Sequence, residues 1–172
     1  MVEKVSILYT LYGPFPGFES RVGVLEMAKH IVESGADIDR SLESGSEDAF
    51  NIIKSVNGKE RSGERSFASK YCHFSQPEKY AIFDSRAESA VLWLRSRGKI
   101  HSIQNVNNYT YTQWRNAVNE CTKLAKGKLM NFKQIDQALY EIGWFNLFVG
   151  ANLPRTVEDV CNVAKNEGLS KC

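Results

Sequence analysis

Apolar residues recur at helical spacing along most of this chain, and this periodicity limits its fold more than any other feature. In Phe132–Phe148, for example, Ile135, Leu139 and Ile142 fall on one stripe of a helix. The same spacing predicts further helices at Phe18–Glu33, Asp48–Val56, Ser66–Phe74, Ser85–Arg97, Thr110–Lys126 and Val157–Glu167. We therefore predict an all-α single domain over residues 1–172, a helical bundle of roughly seven or eight helices around one core. The residues predicted to be core are Phe67, Tyr71, Leu94, Trp114, Ile135 and Leu139.

The local structure of the N-terminal part is less strongly specified. Residues 2–12 alternate as in a strand and also fit a helix, and we favour a helix because no second strand lies nearby to pair with it. Gly35 is predicted to end the helix Phe18–Glu33 in a left-handed cap. The polar stretch Asp37–Ser46 is predicted to be a short helix or a loop.

The composition is that of an ordinary globular protein. The chain has 172 residues, of which 42% are hydrophobic and 24% charged, enough to bury a substantial core. No run approaches the roughly 18 apolar residues that a membrane helix needs. The N-terminus also lacks the basic segment and apolar run of a signal peptide. We therefore expect a cytoplasmic protein without a membrane partner.

Motifs for metals and common cofactors are absent from the sequence, and we predict that the protein uses no cofactor. The chain contains no G-x-G-x-x-G, no P-loop, no H-E-x-x-H and no serine nucleophile elbow. The cysteines are far apart and form no C-x-x-C, so we expect buried thiols and no metal knuckle. They are Cys72, Cys121, Cys161 and Cys172.

One short aromatic helix and the loop after it contain the best candidates for chemistry. Lys70 lies at the edge of a stripe formed by Phe67, Tyr71 and Phe74, about 60° around the helix from Phe67. A lysine in such a place loses water, which disfavours the ammonium and favours a nucleophilic amine. Asp84 follows a proline-marked loop, and we predict that Lys70 and Asp84 face each other across a cleft.

The helix after this loop can be capped in two ways. Ser85 and Glu88 have the spacing of a capping box, and such a box would leave Asp84 to point elsewhere. Asp84 can also cap the helix itself, and its role is then structural. The sequence leaves both alternatives open.

A cluster of basic residues precedes Lys70. Between Lys54 and Lys70 there are five basic and two acidic residues, a local excess of +3 in a chain whose net charge is +2. The segment Lys59–Arg65 is either a solvated loop or a hairpin between two helices that contacts phosphates. On the second interpretation, nucleic-acid backbone would be contacted by Lys54, Lys59, Arg61 and Arg65.

Two phrases of the sequence resemble known proteins. The run SFASKYCHFSQPEKYAIFDSRA, beginning at Ser66, resembles a large group of bacterial proteins of uncharacterised function with the theme S-F-A-[ST]-K-Y-C, a proline loop and Y-x-I-[FY]-D-S. FKQIDQALYEIG, at Phe132–Gly143, resembles the same group's I-D-x-x-L-[WY]-x-x-G. More distantly, the arrangement is similar to the helix-hairpin-helix DNA glycosylases of the 8-oxoguanine glycosylase type. Their lysine and aspartate match Lys70 and Asp84.

This resemblance implies a helix-hairpin-helix core and a lysine-dependent reaction. Lys70 would attack the sugar C1′ and form a Schiff base, and Asp84 would stabilise the developing sugar cation. The target base must leave the stack and enter a pocket. The aromatic residues suited to wall such a pocket are Phe67, Tyr71, Phe74, Tyr80 and Trp93.

Two functions follow from these observations. The first is a DNA glycosylase or lyase that excises an altered base during DNA repair, with DNA as its partner. The second is a non-catalytic binding or regulatory protein on the same fold, for example in a defence or toxin-linked system. Borohydride trapping with damaged duplexes separates them, because only a Schiff base gives a covalent complex.

Overall fold

The computed structural model describes residues 5–8, 23–56, 62–124 and 132–148. All regular secondary structure in these ranges is helical, which confirms the predicted all-α class. Residues 5–8 form a short helical segment, and the predicted helix Val157–Glu167 lies outside the described residues. The helices are α1 (Val24–Glu33), α2 (Gly35–Ser44), α3 (Glu47–Lys54), α4 (Ser62–Ser75), α5 (Ser85–Ser96), α6 (Tyr111–Leu124) and α7 (Phe132–Phe148).

The chain divides into two compact units, an N-terminal unit at Met1–Phe83 and a C-terminal unit at Asp84–Cys172. In the N-terminal unit, α3 packs against both α2 and α4. In the C-terminal unit, the main contact is between α5 and α7, and α6 adjoins both helices. That the whole chain behaves as a single domain stays a prediction.

Residues 80–83, an irregular segment after α4, are held against the rest of the N-terminal unit by hydrogen bonds. His73 Nδ1 donates to Tyr80 O at 2.7 Å, and Phe83 N donates to Ser69 Oγ at 2.8 Å. The Tyr80 hydroxyl lies 2.9 Å from the carbonyl oxygens of both Ser41 and Ser46, and its single proton is shared between these two acceptors. These bonds satisfy polar groups that burial would otherwise leave unpaired, so the segment is held without a strand partner.

The prediction that Gly35 ends a helix was wrong. Gly35 is the first residue of α2, and the one-residue break before it is at Ser34, with φ −97°. The left-handed glycine cap instead lies at Gly45, with φ 74°. The polar stretch before it is helical because Ile38 and Leu42, one turn apart, are both buried.

The helix that carries Lys70 begins earlier than predicted. α4 starts at Ser62, so Glu64 and Arg65, placed by sequence in a loop or hairpin, belong to its first turn. An acidic residue in a first turn interacts favourably with the helix dipole, which supports an early start. The beginning of the predicted loop, Lys59–Arg61, lies outside the described residues.

Most of the predicted core residues are buried. Relative exposure is 2% at Tyr71, 0% at Trp114 and 2% at Leu139, and Leu94 and Ile135 are buried as well. Phe67 is the exception, because it is only partly buried. Its ring lies 6.3 Å from that of Tyr71. Five of the six residues predicted to be core are therefore buried.

The contact between α5 and α7 depends on one glycine. At Gly143 a Cβ atom would lie 2.0 Å from the carbonyl oxygen of Arg86 in α5. No side chain fits at that distance, so only glycine allows the two backbones to approach this closely.

Candidate functional site

Lys70 is buried on α4, with 8% of its surface exposed. Its Nζ donates to the Ser66 hydroxyl, one turn earlier, at 2.9 Å. The predicted withdrawal of this lysine from water is confirmed. Its catalytic role stays a prediction.

Asp84 caps α5, which decides between the two alternatives left open by the sequence. Its Oδ1 accepts hydrogen bonds from Arg86 N at 2.9 Å and Ala87 N at 2.8 Å. Ser85 is exposed, and the Glu88 carboxylate accepts from the Tyr109 hydroxyl, so no capping box forms. An ionised cap at a helix N-terminus is favoured by both the amide bonds and the helix dipole.

Lys70 belongs to the N-terminal unit, whereas Asp84 is the first residue of the C-terminal unit. Each has a partner within its own unit: Ser66 for the lysine and the first turn of α5 for the aspartate. The proposed cleft between the two residues stays a prediction.

Two members of the basic cluster lie on aromatic rings of the N-terminal unit. Lys54 Nζ is 5.4 Å from the centroid of Phe50, and the Arg65 guanidinium is 4.4 Å from the centroid of Phe83. Both basic side chains are partly exposed. The rings hold the charges at the surface and restrict their motion. Lys59 and Arg61 lie outside the described residues.

The five predicted pocket aromatics have different surroundings. Tyr80 is fully buried, and its hydroxyl is used to bind backbone carbonyls. Trp93 belongs to the C-terminal unit, where the Arg97 guanidinium lies 5.0 Å from its ring centroid. Phe67 is partly buried beside Tyr71. Tyr71 and Phe74 are the two that line a common cavity.

This cavity lies between α2 and α4 in the N-terminal unit and has a volume of about 580 Å³. Asp39 and Glu43, one turn apart on α2, contribute carboxylates. Phe74, which is 48% exposed, contributes an aromatic ring. The remaining lining residues are Leu42, Tyr71, Ser75 and Gln76.

The Tyr71 hydroxyl stays protonated in this setting. Burial raises the pKa of Tyr71 to about 12, and the nearby charges of Asp39 and Cys72 act in the same direction. The cavity therefore combines acidic, aromatic and neutral polar groups.

Asp39 and Glu43 were not among the site residues predicted from the sequence. The signal that could have found them is their spacing of four residues beside the buried pair Ile38 and Leu42.

Other features of the described residues bear on chemistry. No group of three or more histidine, cysteine, aspartate or glutamate side chains among them is placed to hold a metal ion. Cys121 is buried, and this burial raises the pKa of its thiol to about 12. None of the helices in the described part of the chain is both long enough and apolar enough to cross a bilayer.

Comparison with known proteins gives one match. A family model described as HI_0787_N, N-terminal domain, matches residues 1–79. The matched region includes α1 to α4, Lys70 and every residue lining the cavity, and it ends before Asp84. Neither the search of curated proteins nor the search of solved structures returned a match.

Proposed function

We propose that this chain is a non-catalytic binding protein whose helical core is of the glycosylase-like kind. The observation that carries the proposal is the position of Asp84, whose Oδ1 accepts two amide hydrogen bonds from its own helix. A carboxylate that stabilises a sugar cation must be aimed at the reacting atom. The Asp84 carboxylate is instead oriented by the first turn of α5.

The surroundings of Lys70 support the same proposal. A lysine that forms a Schiff base must bring its amine to the substrate carbon. The Lys70 Nζ instead donates to the Ser66 hydroxyl within the same helix. A side chain that bonds its own helix in this way is suited to stabilising α4.

Nucleic acid is the partner that we propose, bound through phosphate contacts of the basic cluster. Lys54 and Arg65 support this assignment because aromatic rings already position their charges at a partly exposed surface. Side chains held in this way lose less conformational entropy when they bind. Lys59 and Arg61 are assigned to the same role from the sequence.

The test is duplex DNA binding measured by fluorescence anisotropy over a range of salt concentrations. Replacing Lys54 and Arg65 by alanine should weaken binding and reduce the slope of log K against log salt by about 2, roughly one per lost phosphate contact. A matched control replaces two exposed lysines of the C-terminal unit, Lys123 and Lys133, by alanine. An equal slope for the Lys54/Arg65 variant and the control would refute the assignment.

The second candidate is the lysine-dependent glycosylase, and the burial of Lys70 beside Tyr71 is the observation that favours it. Borohydride treatment of the protein with duplexes carrying an abasic site or an altered base decides between the two. We expect binding without a covalent adduct. An adduct that forms with the wild type and disappears in Lys70→Ala would overturn the non-catalytic proposal.

A further inference from the structure

We propose that the cavity between α2 and α4 binds an organic cation, a primary ammonium or guanidinium group carried on an apolar stem. The volume of about 580 Å³ is within the range of about 300–1,000 Å³ that is typical of small-molecule sites. This proposal is independent of DNA binding, since it concerns different residues and a ligand of opposite charge.

The carboxylates of the cavity are available to a ligand. Among the described residues, neither Asp39 nor Glu43 forms a salt bridge, whereas Glu33 and Asp37 on the same part of the chain are paired with Lys29 and Arg40. Both residues are exposed, so a ligand in solution can reach them. Two negative charges one turn apart attract a cation and repel a phosphate.

The ends of the two helices add to the negative potential. Glu43 is in the last turn of α2, while Phe74 and Ser75 are the last two residues of α4. Helix C-termini carry partial negative charge from their carbonyl groups, which favours cations. The Lys79 ammonium already donates to the carbonyl oxygen of Glu43, so the end of α2 binds one cation within the protein itself.

The apolar part of the ligand has its own contacts. The half-exposed ring of Phe74 offers a face to a cation and to an alkyl stem, and Leu42 extends the apolar surface. Ser75, whose Oγ donates its proton to Tyr71 O at 2.7 Å, adds a polar group to the lining. Gln76, a residue with an amide side chain, completes the polar part of the lining.

Binding is tested by heteronuclear NMR titration of the full chain with capped arginine, N-acetyl-arginine methylamide. A second arm uses a short Gly-Ser peptide that contains one arginine. We expect saturable shifts centred on the backbone amides of α2 and the end of α4. Equal affinity in both arms identifies a free small cation as the natural ligand. Affinity about tenfold higher for the peptide, worth about 1.4 kcal/mol, identifies a protein segment.

Three controls show whether charge and ring contribute. The capped citrulline analogue has the same shape without the charge and should not bind. Asp39→Asn with Glu43→Gln should weaken arginine binding by about tenfold or more. Asp37→Asn with Glu33→Gln removes the same charge from two exposed, ion-paired sites and should change the affinity less than about twofold.

Phe74→Leu should weaken binding several-fold while the helical circular dichroism stays unchanged, because the ring is half exposed. The proposal is overturned if neither arginine probe gives saturable shifts, or if citrulline binds as well as arginine. It is equally overturned if the Asp39/Glu43 variant binds like the wild type.

Discussion

Replacing Gly143 by alanine should destabilise the C-terminal unit, because the new methyl group has no space. The added Cβ would lie 2.0 Å from the carbonyl oxygen of Arg86, 2.5 Å from its carbonyl carbon and 2.9 Å from its Cα. All three are backbone atoms, so no side chain can rotate away to relieve the clash. Helices α5 and α7 must move apart by more than about 1 Å to restore ordinary contact distances, which disturbs close packing along their whole interface.

The cost should reach the upper part of the range for overpacking, about 3 kcal/mol, since the obstacle is backbone. Urea denaturation provides the measurement. With a slope of about 2 kcal/mol per molar urea, the midpoint should fall by about 1.5 M. All three tryptophans, Trp93, Trp114 and Trp144, lie in the sequence of the C-terminal unit, so their fluorescence reports its unfolding.

Gly35→Ala is the matched control for this substitution. It introduces the same methyl group at the start of α2, where a Cβ would meet nothing within 4 Å. We expect an unchanged protein or one more stable by about 0.4–1 kcal/mol, because alanine restricts the unfolded chain. A Gly143→Ala protein that unfolds at the wild-type urea concentration would refute the close approach of α5 and α7.

Three further predictions concern the core, the helix cap and the dependence of stability on pH. Leu139→Ala should cost roughly 2–5 kcal/mol in urea denaturation, since the side chain is 2% exposed; a loss below about 0.5 kcal/mol, typical of surface positions, would contradict its burial. Asp84→Ala should cost about 1 kcal/mol and Asp84→Asn much less, because asparagine is also a good cap; equal losses in thermal unfolding would refute the capping role. Burial alone would raise the pKa of Glu120, but hydrogen bonds from the Ser102 hydroxyl and the amides of His101 and Ser102 outweigh it and hold the pKa below its usual value of 4.5. A lowered folded-state pKa gives stability that is present above that value and lost as pH falls below it. The stability advantage of the wild type over Glu120→Gln should therefore shrink between pH 7 and about pH 3; a constant difference would refute this prediction.

Local sequence was sufficient for the fold class and for most of the core. Stripes such as Ile135, Leu139 and Ile142 repeat over several turns, and a helix must bury such a face wherever it packs. The same reasoning placed Lys70 at the edge of the aromatic stripe, where it would lose water, and Lys70 is buried.

Features that depend on more than one segment required the tertiary structure. Asp84 and Ser85 both fit a cap motif, and the choice depends on the backbone at Asp84, whose φ of −142° brings its carboxylate over the first turn of α5. Gly35 and Gly45 are both plausible helix ends, and only Gly45 takes the left-handed conformation.

The cavity and the helix crossing are non-local in the same sense. Asp39 lies beside Tyr71 and Phe74, which are more than 30 residues away in the sequence. Gly143 is indispensable only because Arg86 lies opposite. Helical periodicity tells which side of a helix is buried, but it carries no information about which segment covers that side. Pairing of segments is decided by the packing of the whole unit, and the candidate binding site arises from that pairing.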